Sequence, residues 1–380
     1  MSAGNKADFT TERQGVAEQL SQVVRERHDY AREWQRRTEG RVVGYLCSYV
    51  PEELLYAAGC LPVRLLGGHQ PQDLTEPHIF GMFCAYCRDV LAQGLMGRYD
   101  YLSGIVLSHI CPHIRQTYDS WRRHLPTEMS YLLWGPAQVQ SQAALPFFRT
   151  QVETFRRAVE DWTGKPITEA LLLQAIEVYD RNRGLLRQLY ELRKREPAGV
   201  SGTVAMEAVL ASALMDKAEH SRLLEALLAQ PASEKKGVRL MVVGSENDDT
   251  DLIRLLESLG AVVVIEDHCL GNRYFWNGTP ADGDPFSSVA RRYLEKPPCP
   301  LLDLDRRQRG EYLLGMAREY RVQGVVFLRQ KFCDPHGWEQ PVLQSLFQEA
   351  GLPYLALELD FTVPAGQYRT RIEAFLELFL

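Results

Sequence analysis

Five of the eight cysteines stand near points where a strand-like pattern changes to a helix-like one; they are Cys47, Cys84, Cys87, Cys111 and Cys333. Cysteine thiolates are the usual protein ligands of iron-sulfur clusters and also bind zinc. In an open α/β sheet, the loops that follow the strands meet at one crevice, so cysteines far apart in sequence can reach one ligand there. The spacing therefore indicates a candidate metal or iron-sulfur site.

The predicted helix starts add an electrostatic reason for this interpretation. Cys111 follows the apolar run LSGIVLSH and precedes Pro112, a residue that favours the first turn of a helix. Cys84 and Cys87 open another helical run, and Cys333 follows the run GVVFLRQ. The dipole at a helix N-terminus favours negative charge and lowers the pKa of a thiol. We therefore expect these positions to favour thiolates and an anionic cluster.

Two other interpretations of the cysteines stay open: buried core residues and a structural zinc site. Cysteine is among the most commonly buried residues, and we interpret Cys60, Cys269 and Cys299 as core residues. A structural zinc site is the other alternative, although such sites usually show two tight ligand pairs and this chain has one clean CxxC. The zinc site would draw on Cys84, Cys87, His109, Cys111 and His113.

Short apolar runs alternate with helical segments in two parts of the chain, which are separated by a long helical stretch. Continuous apolar strands are typical of parallel sheets that are covered on both faces. We therefore predict an α/β fold with two doubly wound, flavodoxin-like or Rossmann-like domains, a helical connecting layer and an N-terminal helical arm. The predicted bounds are residues 1–40 for the arm, 41–145 for the first α/β domain, 146–235 for the helical layer and 236–380 for the second α/β domain.

The composition is ordinary for a globular protein: 45% of the 380 residues are hydrophobic, 24% are charged, and the net charge is -6. Basic residues are interspersed with acidic ones, which gives no reason to expect nucleic acid. We find no secretion signal and no run of about 18 uncharged apolar residues that could span a membrane. We therefore expect a cytoplasmic protein with thiols rather than disulfides. The GxxxxGK[ST] and GxGxxG motifs are absent, so no ATP, NAD or flavin site is expected.

Two long segments near the ends of the chain resemble a known family: GYLCSYVPEELLYAAGCLPVRLLG and ELDFTVPAGQYRTRIEAFLE. Together with FCAYCRDVLAQGL and CPHIRQTYDSW, they are similar to the 2-hydroxyacyl-CoA dehydratase and benzoyl-CoA reductase family. Within that family the chain looks most like the smaller of the two cluster-bearing subunits, known as gamma or C, of class I ATP-dependent benzoyl-CoA reductase.

The resemblance implies a 4Fe–4S cluster bound by Cys84, Cys111 and Cys333, with Cys87 or Cys47 as alternatives for the first ligand. It also implies an oxidoreductase assembled as a heterotetramer, in which this chain pairs with a larger homologous cluster-bearing subunit. An ATP-hydrolysing activator pair would pass electrons to it from reduced ferredoxin. The implied reaction is the two-electron dearomatisation of benzoyl-CoA to cyclohexa-1,5-diene-1-carbonyl-CoA, in anaerobic degradation of aromatic compounds. The same family leaves open a 2-hydroxyacyl-CoA dehydratase subunit or a double-cubane-cluster reductase.

The sequence identifies no catalytic residue, and only three histidines are weak candidates for such a role. His109, His113 and His336 flank the predicted cluster ligands and could donate hydrogen bonds or a proton. The alternative, which we favour for each, is that the histidine caps a helix or faces solvent. Glu52 and Glu53 follow Pro51 and are expected in the first turn of a helix, where acids stabilise the dipole without a catalytic role.

Overall fold

The computed structural model describes residues 15–69, 73–281, 283–302, 308–361 and 364–380. The first residues of the predicted N-terminal arm lie outside this part of the chain. The rest of the arm forms two helices, Val16–Arg25 (α1) and Arg27–Thr38 (α2). The arm is held to the body partly by Tyr30, whose hydroxyl donates a hydrogen bond of 2.6 Å to Glu219.

The described residues contain two four-stranded sheets in which every neighbouring pair of strands is parallel. This confirms the predicted fold class. Most strand residues are buried, as the continuous apolar runs predicted. The strands are Val42–Leu46 (β1), Leu61–Arg64 (β2), Leu102–His109 (β3), Met129–Trp134 (β4), Val238–Gly244 (β5), Ala261–Asp267 (β6), Gly324–Gln330 (β7) and Tyr354–Leu359 (β8).

The two sheets have equivalent strand orders, β2-β1-β3-β4 and β6-β5-β7-β8. The strand order therefore reverses between β1 and β3 in the first sheet and between β5 and β7 in the second. Tyr45 pairs with Val106 across the first of these positions, and Val243 pairs with Phe327 across the second. Ligands of open α/β sheets bind outside the carboxyl ends of the strands at such switch points.

The remaining helices cover the sheets and connect them. Four of them, α6 to α9, follow one another in sequence between the last strand of the first sheet and the first strand of the second. The described helices after α2 are Glu52–Ala57 (α3), Ala85–Leu95 (α4), Pro112–His124 (α5), Ala144–Thr163 (α6), Glu169–Arg193 (α7), Gly202–Ser212 (α8), Lys217–Leu228 (α9), Asp251–Ser258 (α10), Asn272–Phe275 (α11), Pro285–Leu294 (α12), Gln308–Glu319 (α13), Asp334–Glu349 (α14) and Ala365–Leu376 (α15). The domain bounds themselves stay a prediction.

Three short helices, α11, α12 and α15, were not predicted from the sequence. Each is 12 residues or shorter, so its apolar pattern spans few turns and is a weak signal. α14 begins at Asp334, directly after Cys333, as the predicted helix start there requires. Pro341 lies inside this helix, although proline usually marks a helix start.

Glu52 and Glu53 lie in the first turn of α3, as expected, but both are almost fully buried. The Glu53 carboxylate pairs with the Arg183 guanidinium of α7 and accepts a 2.9 Å hydrogen bond from the Tyr293 hydroxyl. The Glu52 carboxylate accepts a 3.0 Å hydrogen bond from the Tyr274 hydroxyl. A buried carboxylate needs such partners, so these acids connect the first sheet to the helical layer and the second α/β block. Stabilising a helix dipole is only part of their role.

Gly244 provides a stability test at the end of β5. Its φ is +147°, and a Cβ there would overlap the carbonyl oxygen of Leu328 in β7. We expect Gly244→Ala to lower the unfolding free energy by about 3 kcal/mol or more. Gly260→Ala is the matched control: its φ is +99° but nothing lies within 4 Å of the added carbon, so about 1 kcal/mol of backbone strain is expected. Urea unfolding of the two variants checks this, and equal losses would contradict the overlap.

Candidate metal centre

The three predicted cluster ligands occupy the same position relative to three different helices. Cys84, Cys111 and Cys333 are the N-cap residues of α4, α5 and α14, respectively. Cys111 follows β3 and Cys333 follows β7, so each lies at the switch point of its own sheet. The positive ends of three helix dipoles are thereby available to one negatively charged ligand.

His113 shows that these three helix starts converge. Its Nδ1 accepts a hydrogen bond of 3.2 Å from the backbone N–H of Cys84, and its Nε2 lies 3.2 Å from Oδ2 of Asp334. One imidazole on α5 therefore contacts the first turn of α14 and the N-cap of α4. Because Nδ1 is the acceptor, the ring proton is on Nε2 and donates to Asp334. This contact spans the cleft between the two sheets.

The thiols are also close enough to affect one another's ionisation. Burial and then the neighbouring Cys84 thiol raise the pKa of Cys111 to about 12. Burial, with the Cys84 and Cys111 thiols, holds the pKa of Cys333 well above its usual value. The pKa of Cys84 is raised by a hydrogen bond with Cys87 and by burial. The structure thus brings all three predicted ligands together.

The expectation of lowered thiol pKa values is wrong. Backbone N–H groups at the helix starts do lower the pKa of Cys111 and Cys333, but burial and the neighbouring thiols outweigh them. A thiol must lose its proton to bind metal, so loading this site would release protons.

The two alternative first ligands lie in different places. Cys87 is buried one turn into α4 and pairs with Cys84. Cys47 directly follows β1 and has a φ of +78°, which is unusual for a residue with a side chain. Burial raises the pKa of Cys47 to about 11, and the next influences on it are Arg64 and Cys299. Cys87 therefore lies with the three predicted ligands, whereas Cys47 lies near Arg64 and Cys299.

Cys47, Cys269 and Cys299 form what we name the second thiol group. Sequence reasoning assigned Cys269 and Cys299 to the core, but both are only partly buried. Within this group, Cys299 is close enough to the predicted ligands to affect them as well, because its thiol raises the pKa of Cys333 as it does those of Cys47 and Cys269. Cys60 is buried, as expected.

Charged side chains surround the second thiol group, and sequence patterns contained little signal for them. The Arg64 guanidinium lies 3.1 Å from the Glu246 carboxylate, and both side chains are almost fully buried. Lys296 donates hydrogen bonds of 2.9 and 3.0 Å to the carbonyl and hydroxyl oxygens of Ser48. Burial and Arg292 lower the pKa of Lys296 to about 7. The one sequence signal for these charged side chains was Arg64, which stands at the end of the apolar strand β2.

The other two candidate histidines differ in their surroundings. His109 is partly exposed, and its ring packs against Trp134 with centroids 4.7 Å apart. His336 is buried, and its Nδ1 lies 3.1 Å from the Glu339 carboxylate. Burial lowers the pKa of all three candidates, that of His336 to about 4. At neutral pH they are therefore neutral imidazoles.

In the part of the chain that the structure describes, no three His, Cys, Asp or Glu side chains are arranged to hold a single metal ion. A 4Fe–4S cluster places a different requirement on its ligands, because each thiolate binds a different iron. Three thiols at three helix N-termini suit such an anionic group in both chemistry and charge. Among the same residues, no helix is both long and apolar enough to cross a membrane.

The family of the 2-hydroxyglutaryl-CoA dehydratase D-component matches residues 47–379, a range that includes all eight cysteines. The chain belongs to this family. The relatives described next are named as enzyme subunits, and this chain is accordingly an enzyme subunit.

Individual relatives are similar over most of their length. The beta subunit of (R)-phenyllactyl-CoA dehydratase from Clostridium sporogenes is 26% identical over 360 residues, covering 93% of this chain and 96% of the relative. The C subunit of benzoyl-CoA reductase from Thauera aromatica is 27% identical over 339 residues, covering 86% and 88%. The beta subunit of (R)-2-hydroxyglutaryl-CoA dehydratase from Acidaminococcus fermentans is 25% identical over 348 residues, covering 89% and 92%.

Proposed function

We propose that this chain is a cluster-bearing subunit of an acyl-CoA enzyme and that Cys84, Cys111 and Cys333 hold a 4Fe–4S cluster. The observation that carries the proposal is the convergence of these three N-cap thiols at the cleft between the sheets, with His113 joining their helices. Such a cluster, when bound, supplies single electrons at low potential. Cys87 is the alternative first ligand because it pairs with Cys84.

The reaction we propose is the reductive dearomatisation of benzoyl-CoA. The ring takes up two electrons and two protons and becomes cyclohexa-1,5-diene-1-carbonyl-CoA, while the thioester stays intact. Reduced ferredoxin would be the electron donor, and a separate activator pair would hydrolyse ATP, since this chain has no GxxxxGK[ST] motif. The larger homologous subunit would complete the heterotetramer. Similarity to the C subunit of benzoyl-CoA reductase supports this assignment.

The residues around the thiols suggest separate tasks. His113 fixes the start of α4 relative to α14, and so positions Cys84 and Cys333. A general acid works best when its pKa lies near the working pH. Lys296, with a pKa of about 7, meets that condition better than the neutral His336. Lys296, whose ammonium is hydrogen-bonded to Ser48, therefore joins the three histidines as a candidate proton donor.

The second candidate function is that of a 2-hydroxyacyl-CoA dehydratase subunit. It is favoured by the similarity to two dehydratase beta subunits, which is as strong as that to the reductase subunit. In this reaction water is lost from the substrate and the electron is recycled, so there is no net reduction.

The consumption of reductant separates the two functions. For the reductase, we expect roughly two electrons from the donor for each product formed, because the electrons stay in the ring. The measurement is anaerobic turnover of benzoyl-CoA with a limited amount of reduced ferredoxin and with all partner subunits present. Product that far exceeds the supplied electrons, from a 2-hydroxyacyl-CoA but not from benzoyl-CoA, would instead establish the dehydratase.

A double-cubane reductase is a third candidate, favoured by the second thiol group. Cys299 belongs to this group and lies close enough to the predicted ligand Cys333 to raise its pKa. A single cubane predicts about four irons per chain, and two joined cubanes predict about eight. Cys299→Ser is the distinguishing variant, since it should halve the iron content only if the second thiol group binds iron.

A further inference from the structure

A concave pocket opens beside the thiol site, between the turn Pro300–Leu302 and the helices α13 and α14. Its volume is about 230 Å³. Apolar side chains form most of its wall: Pro300, Leu301, Trp338, Val342, Leu343 and Leu346. An apolar pocket with a few polar groups next to ionisable residues is the usual form of a small-molecule site.

Trp338 and Val342 are the exposed part of this wall. They lie four residues apart on one face of α14, and 65% and 45% of their respective surfaces are exposed. Both also line the apolar pocket, so they extend it into a contiguous exposed apolar patch, and such patches often mark a ligand-binding groove. An indole with an open face offers stacking to a planar ring.

The positive charge at the base of the pocket is paired with carboxylates, and Glu311 adds a further carboxylate to the wall. The Arg309 guanidinium pairs with the carboxylates of Glu339 and Asp267, and Asp267 also lies 3.4 Å from Arg273. These side chains are largely buried. The described wall therefore offers no free cation for a phosphate and no row of polar groups for a peptide backbone. An uncharged ring matches it better than a nucleotide does.

The pocket shares its inner wall with the thiol site. Pro300 directly follows Cys299, and Pro335 lies two residues after Cys333 on the first turn of α14. Glu339 at the base contacts His336, which lies three residues after Cys333. A ligand held here would have one end near the thiols and the other at Trp338.

We propose that this pocket binds the hydrocarbon ring of an aromatic acyl-CoA thioester, with Trp338 stacked on the ring. The inference rests on the proposed function, since the thioester is the substrate class proposed above. It adds a ring-binding site on this chain and names Trp338 and Val342 as specificity-determining residues. The adenine ring of CoA is the competing occupant, and the test separates the two.

The experiment measures equilibrium binding of benzoyl-CoA, butyryl-CoA and free CoA to the full-length chain, purified without oxygen. We expect Trp338→Ala to weaken benzoyl-CoA binding about tenfold and to leave butyryl-CoA and CoA unchanged. Trp338→Phe keeps a ring and should stay within about threefold of the parent chain. Leu173→Ala, a change at another exposed apolar residue on α7, is the remote control and should have no effect.

The inference is overturned if Trp338→Ala leaves benzoyl-CoA binding unchanged, if it weakens all three ligands equally, or if the parent chain binds benzoyl-CoA no better than CoA. Equal weakening would place adenine in the pocket. Iron and sulfide are measured on the same samples. If Trp338→Ala loses the preference for benzoyl-CoA while its iron content stays normal, the pocket assignment is supported. If the parent chain itself contains no iron, the proposed function fails instead.

Discussion

Replacing Cys111 or Cys333 by serine is expected to remove the iron and lower activity at least about 100-fold, while the chain still folds. Each of these thiols is an N-cap residue at a switch point, and their ionisation is coupled to that of Cys84. A hydroxyl cannot replace a thiolate as an iron ligand. Iron content, acid-labile sulfide and turnover are the measurements, and circular dichroism checks the fold.

Three further serine variants serve as controls for this prediction. Cys60→Ser changes a buried cysteine away from the cleft and should keep the full iron content. Comparing Cys84→Ser with Cys87→Ser identifies the first ligand, because only the true ligand should reduce the iron. Full activity of either Cys111→Ser or Cys333→Ser would refute the ligand assignment.

Arg183→Met is expected to cost about 3–5 kcal/mol of unfolding free energy, because it leaves the Glu53 carboxylate buried without its main partner. The two side chains are 130 residues apart in sequence, and both are almost fully buried. Their ion pair fixes α7 to the start of α3, and so holds the helical layer against the first sheet. Urea or thermal unfolding measures the loss.

The same variant has a predictable pH dependence. Burial acts to raise the pKa of Glu53, but Arg183 and Arg292 outweigh it and hold that pKa below its ordinary value of 4.5. A lowered folded-state pKa stabilises the fold above the ordinary value, and this stability is lost as the pH falls through the folded-state value. The difference between Arg183→Met and the parent chain should therefore be largest near neutral pH and shrink in acid. A constant difference down to low pH would contradict the assignment.

A double variant separates the charge from the packing. Arg183→Met combined with Glu53→Leu removes both members of the pair, and we expect it to be more stable than Arg183→Met alone. Tyr293 then loses its acceptor on Glu53, so recovery to the parent stability is not expected. A double variant as unstable as the sum of the two single changes would show that the pair itself does not matter.

The fold was predictable because its main signals are local. Apolar runs such as LSGIVLSH and GVVFLRQ are continuous in sequence, and they form the buried strands β3 and β7. The start of α5 was also predictable from the sequence, because proline favours the first helical position and Pro112 directly follows Cys111. The start of α14 was predictable in the same way, because Asp334 and Pro335 follow Cys333 at the end of an apolar run.

The contacts that build the site were not predictable, because they join distant parts of the chain. The pairing of His113 with Asp334 and that of Arg64 with Glu246 depend on how the two sheets face each other. No local pattern marks such partners. Cys299 looked like a core residue for the same reason, since only the assembled cleft brings it near Cys333.

Thiol ionisation was mispredicted for a related reason. A helix start lowers a thiol pKa locally, but the burial that opposes it comes from the whole fold. Sequence alone shows the first effect and not the second. The convergence of three thiols at one place raises their pKa values further, because each thiolate disfavours the others.

Iron and acid-labile sulfide analysis, with electron paramagnetic resonance of the dithionite-reduced chain, tests the central claim most directly. The chain should be co-produced with the proposed larger subunit and purified without oxygen. We predict about four irons and four sulfides per chain and the signal of a reduced cubane cluster, or about eight irons if the second thiol group also binds. Zinc without sulfide would contradict the account and leave a metal scaffold in its place.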